Sequence, residues 1–123
     1  MKLLILLAVS FFFSATALRA DWRWENDLGV ATAKGEDYRV TFKFENCGTT
    51  PVTVTDLHFS CPCTVYHFNA TAAQPGKIGK LIIDVKRESV ETLDQELLVI
   101  AEGSGSATAR ELTIRLPKGA GSR

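Results

Sequence analysis

The chain has 123 residues, 14 of them basic and 14 acidic, so its formal charge cancels and no long-range field draws it to nucleic acid or to an anionic membrane. Setting aside an apolar N-terminal stretch leaves about 100 residues, enough for one modest core and too few for a second domain. Its three cysteines, Cys47, Cys61 and Cys63, are an odd number, so no disulfide scheme within one chain can use them all.

Residues 1–17 read as a secretory signal peptide. Lys2 gives the positive start, Leu3 to Phe13 form an apolar run interrupted only by Ser10, and small residues follow. That run is well short of the about 20 residues a membrane span needs. Cleavage after Ala17 satisfies the small-x-small rule with Ala15, whereas cleavage after Ala20 would place Leu18 three residues before the cut, so Ala17 is preferred. No cysteine follows either point, and a lipid anchor is not expected. The mature chain is expected in an oxidising space, secreted, periplasmic or in the cell envelope, without a membrane span. Loss of Lys2, and of Arg19 with the later cut, makes it slightly acidic.

From residue 21 to 117 the pattern is that of strands. Trp22 and Trp24 share one face of an opening strand, as core anchors in preference to an exposed stacking platform. Tyr38, Val40, Phe42 and Phe44 alternate with Arg39, Thr41, Lys43 and Glu45, the period of a half-buried strand, and Asn46-Cys47-Gly48 ends it. After Pro51, Val52 and Val54 share one parity while Leu57, Phe59 and Cys61 share the other, which predicts a β-bulge or a bend near Asp56. A short strand is expected near Val65. Pro75-Gly76 marks a turn before a strand with Leu81, Ile83 and Val85 inward and Lys80, Asp84 and Lys86 outward. Glu88 to Leu98 has room for a helical turn or two, and its acidic residues Glu88, Glu91, Asp94 and Glu96 read as a solvated connection. Leu97 to Ala101 is apolar on both faces, as an interior strand would be. Gly103 to Ser106 connects it to a last strand with Leu112, Ile114 and Leu116 inward, and residues 118–123 read as a disordered tail. About seven short strands at this spacing predict an all-β, immunoglobulin-like antiparallel sandwich.

The run FKFENCGTTPVTVTDLHFSCPCT, then PGKIG and a closing LTIRLP, resembles a bacterial secreted family, domain of unknown function fifteen-seventy-three. The matching positions are Phe42, Phe44, Asn46, Gly48, Pro51, Ser60, Cys61, Cys63, Thr64, Pro75, Gly76 and Gly79, with Pro62 where the family carries glycine and Cys47 as an extra. The resemblance implies an immunoglobulin-like, PapD- or Hydin-like sandwich and assigns no activity.

Cys61 and Cys63 concentrate what chemistry there is. With His58 and His67 they spell H-x-x-C-x-C-x-x-x-H, a donor set suited to copper or zinc, although on an extended segment His58 points away from Cys61, Cys63 and His67. The alternatives are thiol–disulfide exchange and a purely structural role, bridged or buried. No lysine or arginine lies within ten residues of Cys63 to lower a thiol pKa. Cys47 and Cys61 end consecutive antiparallel strands, so they are expected at opposite ends of the sandwich, with Cys47 left free. Asn69-Ala70-Thr71 has the form of a glycosylation sequon, which matters only in a host with that machinery. Catalysis has little support: Cys63 and His67 on one strand would lie about 13 Å apart, and no phosphate loop or paired-carboxylate signature is present. The expectation is a non-catalytic binding or structural module with an unknown protein or cell-envelope partner, no nucleic acid and no cofactor. The alternative is a thiol-redox or copper/zinc site at Cys61 and Cys63.

Overall fold

The computed structural model describes residues 20–90, 96–105 and 107–117. The signal peptide read in residues 1–17, the tail at 118–123, and Glu91 and Asp94 lie outside the described residues.

Among the described residues, nine strands run in the order β1 (Trp22–Trp24), β2 (Leu28–Val30), β3 (Thr32–Lys34), β4 (Asp37–Asn46), β5 (Val54–Phe59), β6 (Tyr66–Ala70), β7 (Ile78–Lys86), β8 (Glu96–Gly103) and β9 (Arg110–Arg115), with one 3-10 turn at Arg87–Ser89. They build two sheets. The first has the order β1-β4-β7-β6, with β3 also on β4, and the second the order β2-β9-β8-β5. The molecule is therefore all-β, a two-layer sandwich.

Its first strand is divided, which the sequence reading did not anticipate. β1 pairs with the C-terminal end of β4 and β3 with its N-terminal end, whereas β2 leaves that sheet and pairs in parallel with β9. Gly29 and Ala31 make the crossing. A Cβ on Gly29 would sit 2.7 Å from Val40 Cγ2 and 2.8 Å from Phe42 Cζ, so only glycine lets this backbone lie so close to the core. Buried Ala31 donates its N–H to Arg115 O at 2.9 Å.

The alternating residues meet between the sheets. Val40, Phe42, Phe44, Leu81, Ile83 and Val85 come from the first sheet and Leu57, Leu97, Val99, Leu112 and Ile114 from the second, all buried. Each such large side chain contributes about 1.5–3 kcal/mol relative to exposure. Trp22 and Trp24 are core residues, with ring centroids 5.3 Å and 5.0 Å from Phe44, and their burial removes the stacking-platform alternative. Trp22 Nε1 also donates to Thr108 O at 2.7 Å, so its polar edge ties β1 to the segment leading into β9.

The register slips between Val54 and Asp56, placing a bulge in β5 where the parity change predicted it. β8 is interior to its sheet, as its apolar composition predicted, and Leu98 and Ile100 on its outer side are 44% and 42% exposed, because nothing among the described residues covers that face. Asp84 faces away from Leu81, Ile83 and Val85, as the alternation predicted, and is nonetheless buried, since cross-strand neighbours cover it from either side.

Candidate functional site

The motif residues divide between the two ends of the sandwich. At one end β5 closes with Ser60 N–H donating to Leu98 O, and the chain then reverses in a turn that Thr64 N–H closes on Cys61 O at 3.2 Å. Pro62 takes the second position of that turn, where its fixed φ is favoured, which accounts for proline here. Cys61 and Cys63 are disulfide-bonded, with Cα atoms 5.4 Å apart. The segment is thus not extended, a state that would separate them by about 6.5 Å. Cys63 is exposed and Cys61 half-buried, whereas Thr64 is buried and its Oγ1 has no hydrogen-bond partner among the described residues. The chain leaving the turn is held by Val65 N–H on Ser89 Oγ and by Lys86 N–H on Val65 O. Phe59 and Tyr66 close over it, with ring centroids 4.5 Å apart, and Tyr66 Oη donates to Leu57 O.

The four candidate metal ligands are not brought together. Disulfide sulfurs offer no thiolate to a metal ion. His58 stands on the outer face of the second sheet, its Nε2 3.3 Å from Glu102 Oε2 and 3.6 Å from Asp56 Oδ2. His67 stands on the outer face of the first sheet, its Nε2 3.2 Å from Asp84 Oδ2. The two imidazoles therefore lie on opposite faces of the sandwich, because β5 and β6 belong to different sheets. Sequence reasoning missed Asp56, Glu102 and Asp84 as their partners. Asp56 was detectable as the outward neighbour of His58 two residues along the strand, but the other two depend on pairing across the sheets.

Asp84 is the centre of an ionic cluster. Arg39, directly opposite on β4, grips its carboxylate with both Nε and Nη2, at 2.7 and 2.9 Å. That hydrogen-bonded guanidinium holds the Asp84 carboxyl below the usual carboxylate range, against the opposing effect of burial. A carboxyl whose folded pKa is depressed adds stability that is complete above its unfolded pKa of about 3.9 and is lost as the pH falls through the lower folded value. Chemical unfolding from neutral pH down to about pH 2 should show this loss, and Asp84→Asn should flatten it. An unchanged acid limb in Asp84→Asn would refute the assignment.

At the other end, Asn46 organises the turns. Buried at the end of β4, its Nδ2 donates to Thr50 O and to Ala73 O, both at 2.8 Å, and its Oδ1 accepts from Gly48 N–H at 2.8 Å. Its main chain pairs with the Pro75-Gly76 turn, Asn46 N–H donating to Lys77 O and Gly76 N–H to Asn46 O. Gly76 has φ of 79°, which favours glycine. Cys47 lies beside this network as a free, exposed thiol, at the end of the sandwich remote from the disulfide.

The second sheet presents its outer face to solvent. Leu28 and Leu98 flank Thr113 in register, and Val30 and Ile100 extend the apolar area, the four being between 37% and 61% exposed. Edge strand β5 borders it with Asp56 and His58. Among the described residues, no helix is long and apolar enough to cross a membrane.

No curated protein matches the chain. Among solved structures it is similar to a protein of unknown function from Porphyromonas gingivalis W83, with 15% identity and a TM-score of 0.56 over 85% of this chain and 50% of that one. It therefore spans half the length of that structure, and the likeness is one of fold. A yeast GGA1 GAE domain is also similar, with 18% identity and a TM-score of 0.44 over 79% of this chain and 99% of that one. The family model described as Protein of unknown function (DUF1573) matches residues 22–116, from the first tryptophan of β1 to the residue after β9, and the chain belongs to that family.

Proposed function

We propose that the chain is a non-catalytic, immunoglobulin-like binding module of an extracytoplasmic space, secreted, periplasmic or in the cell envelope, that meets a protein partner on the outer face of its second sheet. The immunoglobulin-like reading draws on strand order. One sheet holds β1, β4, β7 and β6, the other β5, β8 and β9, and the divided first strand contributes an extra parallel edge, which is the constant-type arrangement. The extracytoplasmic reading draws on the apolar segment before Ala17 and on the Cys61–Cys63 disulfide.

The observation that carries the binding role is the set of partly exposed apolar side chains Leu28, Val30, Leu98 and Ile100, which share one sheet face with Thr113 and the Arg115–Glu96 ion pair. Exposed apolar side chains grouped on one face among polar neighbours mark an interaction surface. A photo-crosslinking residue at Leu98 should give a discrete, light-dependent adduct in the native envelope, whereas the same residue at Thr41, exposed on the other sheet, should not. The Leu98→Lys, Ile100→Lys double variant should abolish the effect of the native surface in competition. Equal labelling from both positions, or none from Leu98, would refute the proposal.

A further inference from the structure

We propose that Asp56, His58 and Glu102 form a Zn²⁺ site on the outer face of the second sheet. One imidazole and two carboxylates are nitrogen and oxygen donors suited to zinc, and a catalytic-type or surface site of this kind leaves the fourth position to water. The three ligand atoms lie within 4.8 Å of one another. Donors at zinc-bonding distance around a tetrahedral centre are about 3.3 Å apart. His58 Nε2 to Glu102 Oε2 is already 3.3 Å, and His58 Nε2 to Asp56 Oδ2 is 3.6 Å. All three side chains are about half exposed, so rotation of a carboxylate closes the remaining gap.

The backbone prepares this geometry. The bulge between Val54 and Asp56 resets the register so that Asp56 pairs directly with Glu102 on β8. Asp56 Oδ1 accepts Leu57 N–H at 2.8 Å, which orients the carboxylate with Oδ2 toward His58. Two carboxylates directly opposite on neighbouring strands repel each other. Among the described residues no lysine or arginine forms an ion pair with either, and their ion-pair contacts run to His58 alone. Asp84, beside His67, differs in just this respect: a guanidinium already occupies both its oxygens. A divalent cation would supply at Asp56 and Glu102 the positive charge that Arg39 supplies at Asp84.

The test is calorimetric titration of the full chain with ZnCl₂, its disulfide intact and Cys47 replaced by serine so that no free thiol competes. The expected result is one saturable site, with Co²⁺ giving the strong visible bands of tetrahedral coordination. His58→Ala and Glu102→Gln should each weaken binding by about tenfold or more, and His67→Ala should leave it unchanged. Because His58 and Glu102 are exposed, both variants are expected to keep the parent's far-ultraviolet spectrum. No saturable binding, binding undiminished in His58→Ala, or loss in His67→Ala would each overturn the site.

Discussion

Replacing Asn46 with alanine should lower the unfolding free energy by about 2–3 kcal/mol, because one buried side chain satisfies three backbone groups, one of them fully and two partly shielded from water. Asn46 is 1% exposed. Without its amide, Gly48 N–H and Thr50 O lose their partners, and Ala73 O keeps only the bond from Val52 N–H. These losses fall on two turns at once, the one from β4 into β5 and the one before β7, which otherwise touch through the Val52–Ala73 bridge. Asn46→Asp separates geometry from hydrogen-bond type. It keeps the acceptor for Gly48 but sets a carboxylate oxygen against two carbonyls, so it should cost at least as much as alanine. Urea unfolding at constant m would measure both, and hydrogen exchange should quicken at Gly48 and Gly76 before it does in β8. A loss below about 1 kcal/mol for either variant would mean that water replaces the side chain and that Asn46 is not the organiser of this end.

Much of this arrangement was legible because strands with one covered face print a two-residue period. β4 and β9 show it cleanly, and the parity change around Asp56 located the bulge. The separation of Cys47 from the disulfide followed from antiparallel succession alone. What the sequence concealed was set by pairing between distant segments. Asp84 alternates with Ile83 and Val85 as an outward-facing residue does, yet Arg39, 45 positions away on β4, and His67 on β6 cover it. Leu97 to Ala101 read as an interior strand, which β8 is, but composition does not reveal that nothing among the described residues lies over Leu98 and Ile100. β2 was unreadable because its inward residue is Gly29 and its outward ones are Leu28 and Val30, an inversion of the usual alternation. The cysteine pair was legible as a pair, and the turn with Pro62 at its second position supplies the bend that a disulfide between residues two apart requires. His58 was noted as a candidate metal ligand with Cys61, Cys63 and His67, whereas the carboxylates beside it are Asp56 on its own strand and Glu102, which only the register of β5 on β8 brings there.

Gly79→Val should destabilise the domain by about 3 kcal/mol, and Gly79→Ala by about 2 kcal/mol, through overpacking rather than backbone strain. Gly79 sits on the inward face of β7, directly opposite Phe44 on β4, and the Phe44 ring lies over it. A Cβ there would fall within 2.7 Å of Phe44 Cε2, nearer still to Cζ, and 2.9 Å from Thr71 O. The ring has nowhere to move. Phe44 is fully buried, tilted against Trp24 at 5.0 Å and edge-on to Trp22 at 5.3 Å, and Trp22 is itself fixed by its bond to Thr108 O. Thr71 O is main chain, and the same residue's N–H and Oγ1 are paired with Lys80, so that side cannot give either. The clash predicts a specific coupling. Phe44→Leu removes the ring atoms nearest Gly79 and, alone, opens a cavity that costs stability; combined with Gly79→Ala, the new methyl enters that space. The double variant should be more stable than the sum of the singles by about 1 kcal/mol or more. Additive losses would show that the ring over Gly79 is not what excludes a side chain, leaving the Thr71 carbonyl as the barrier.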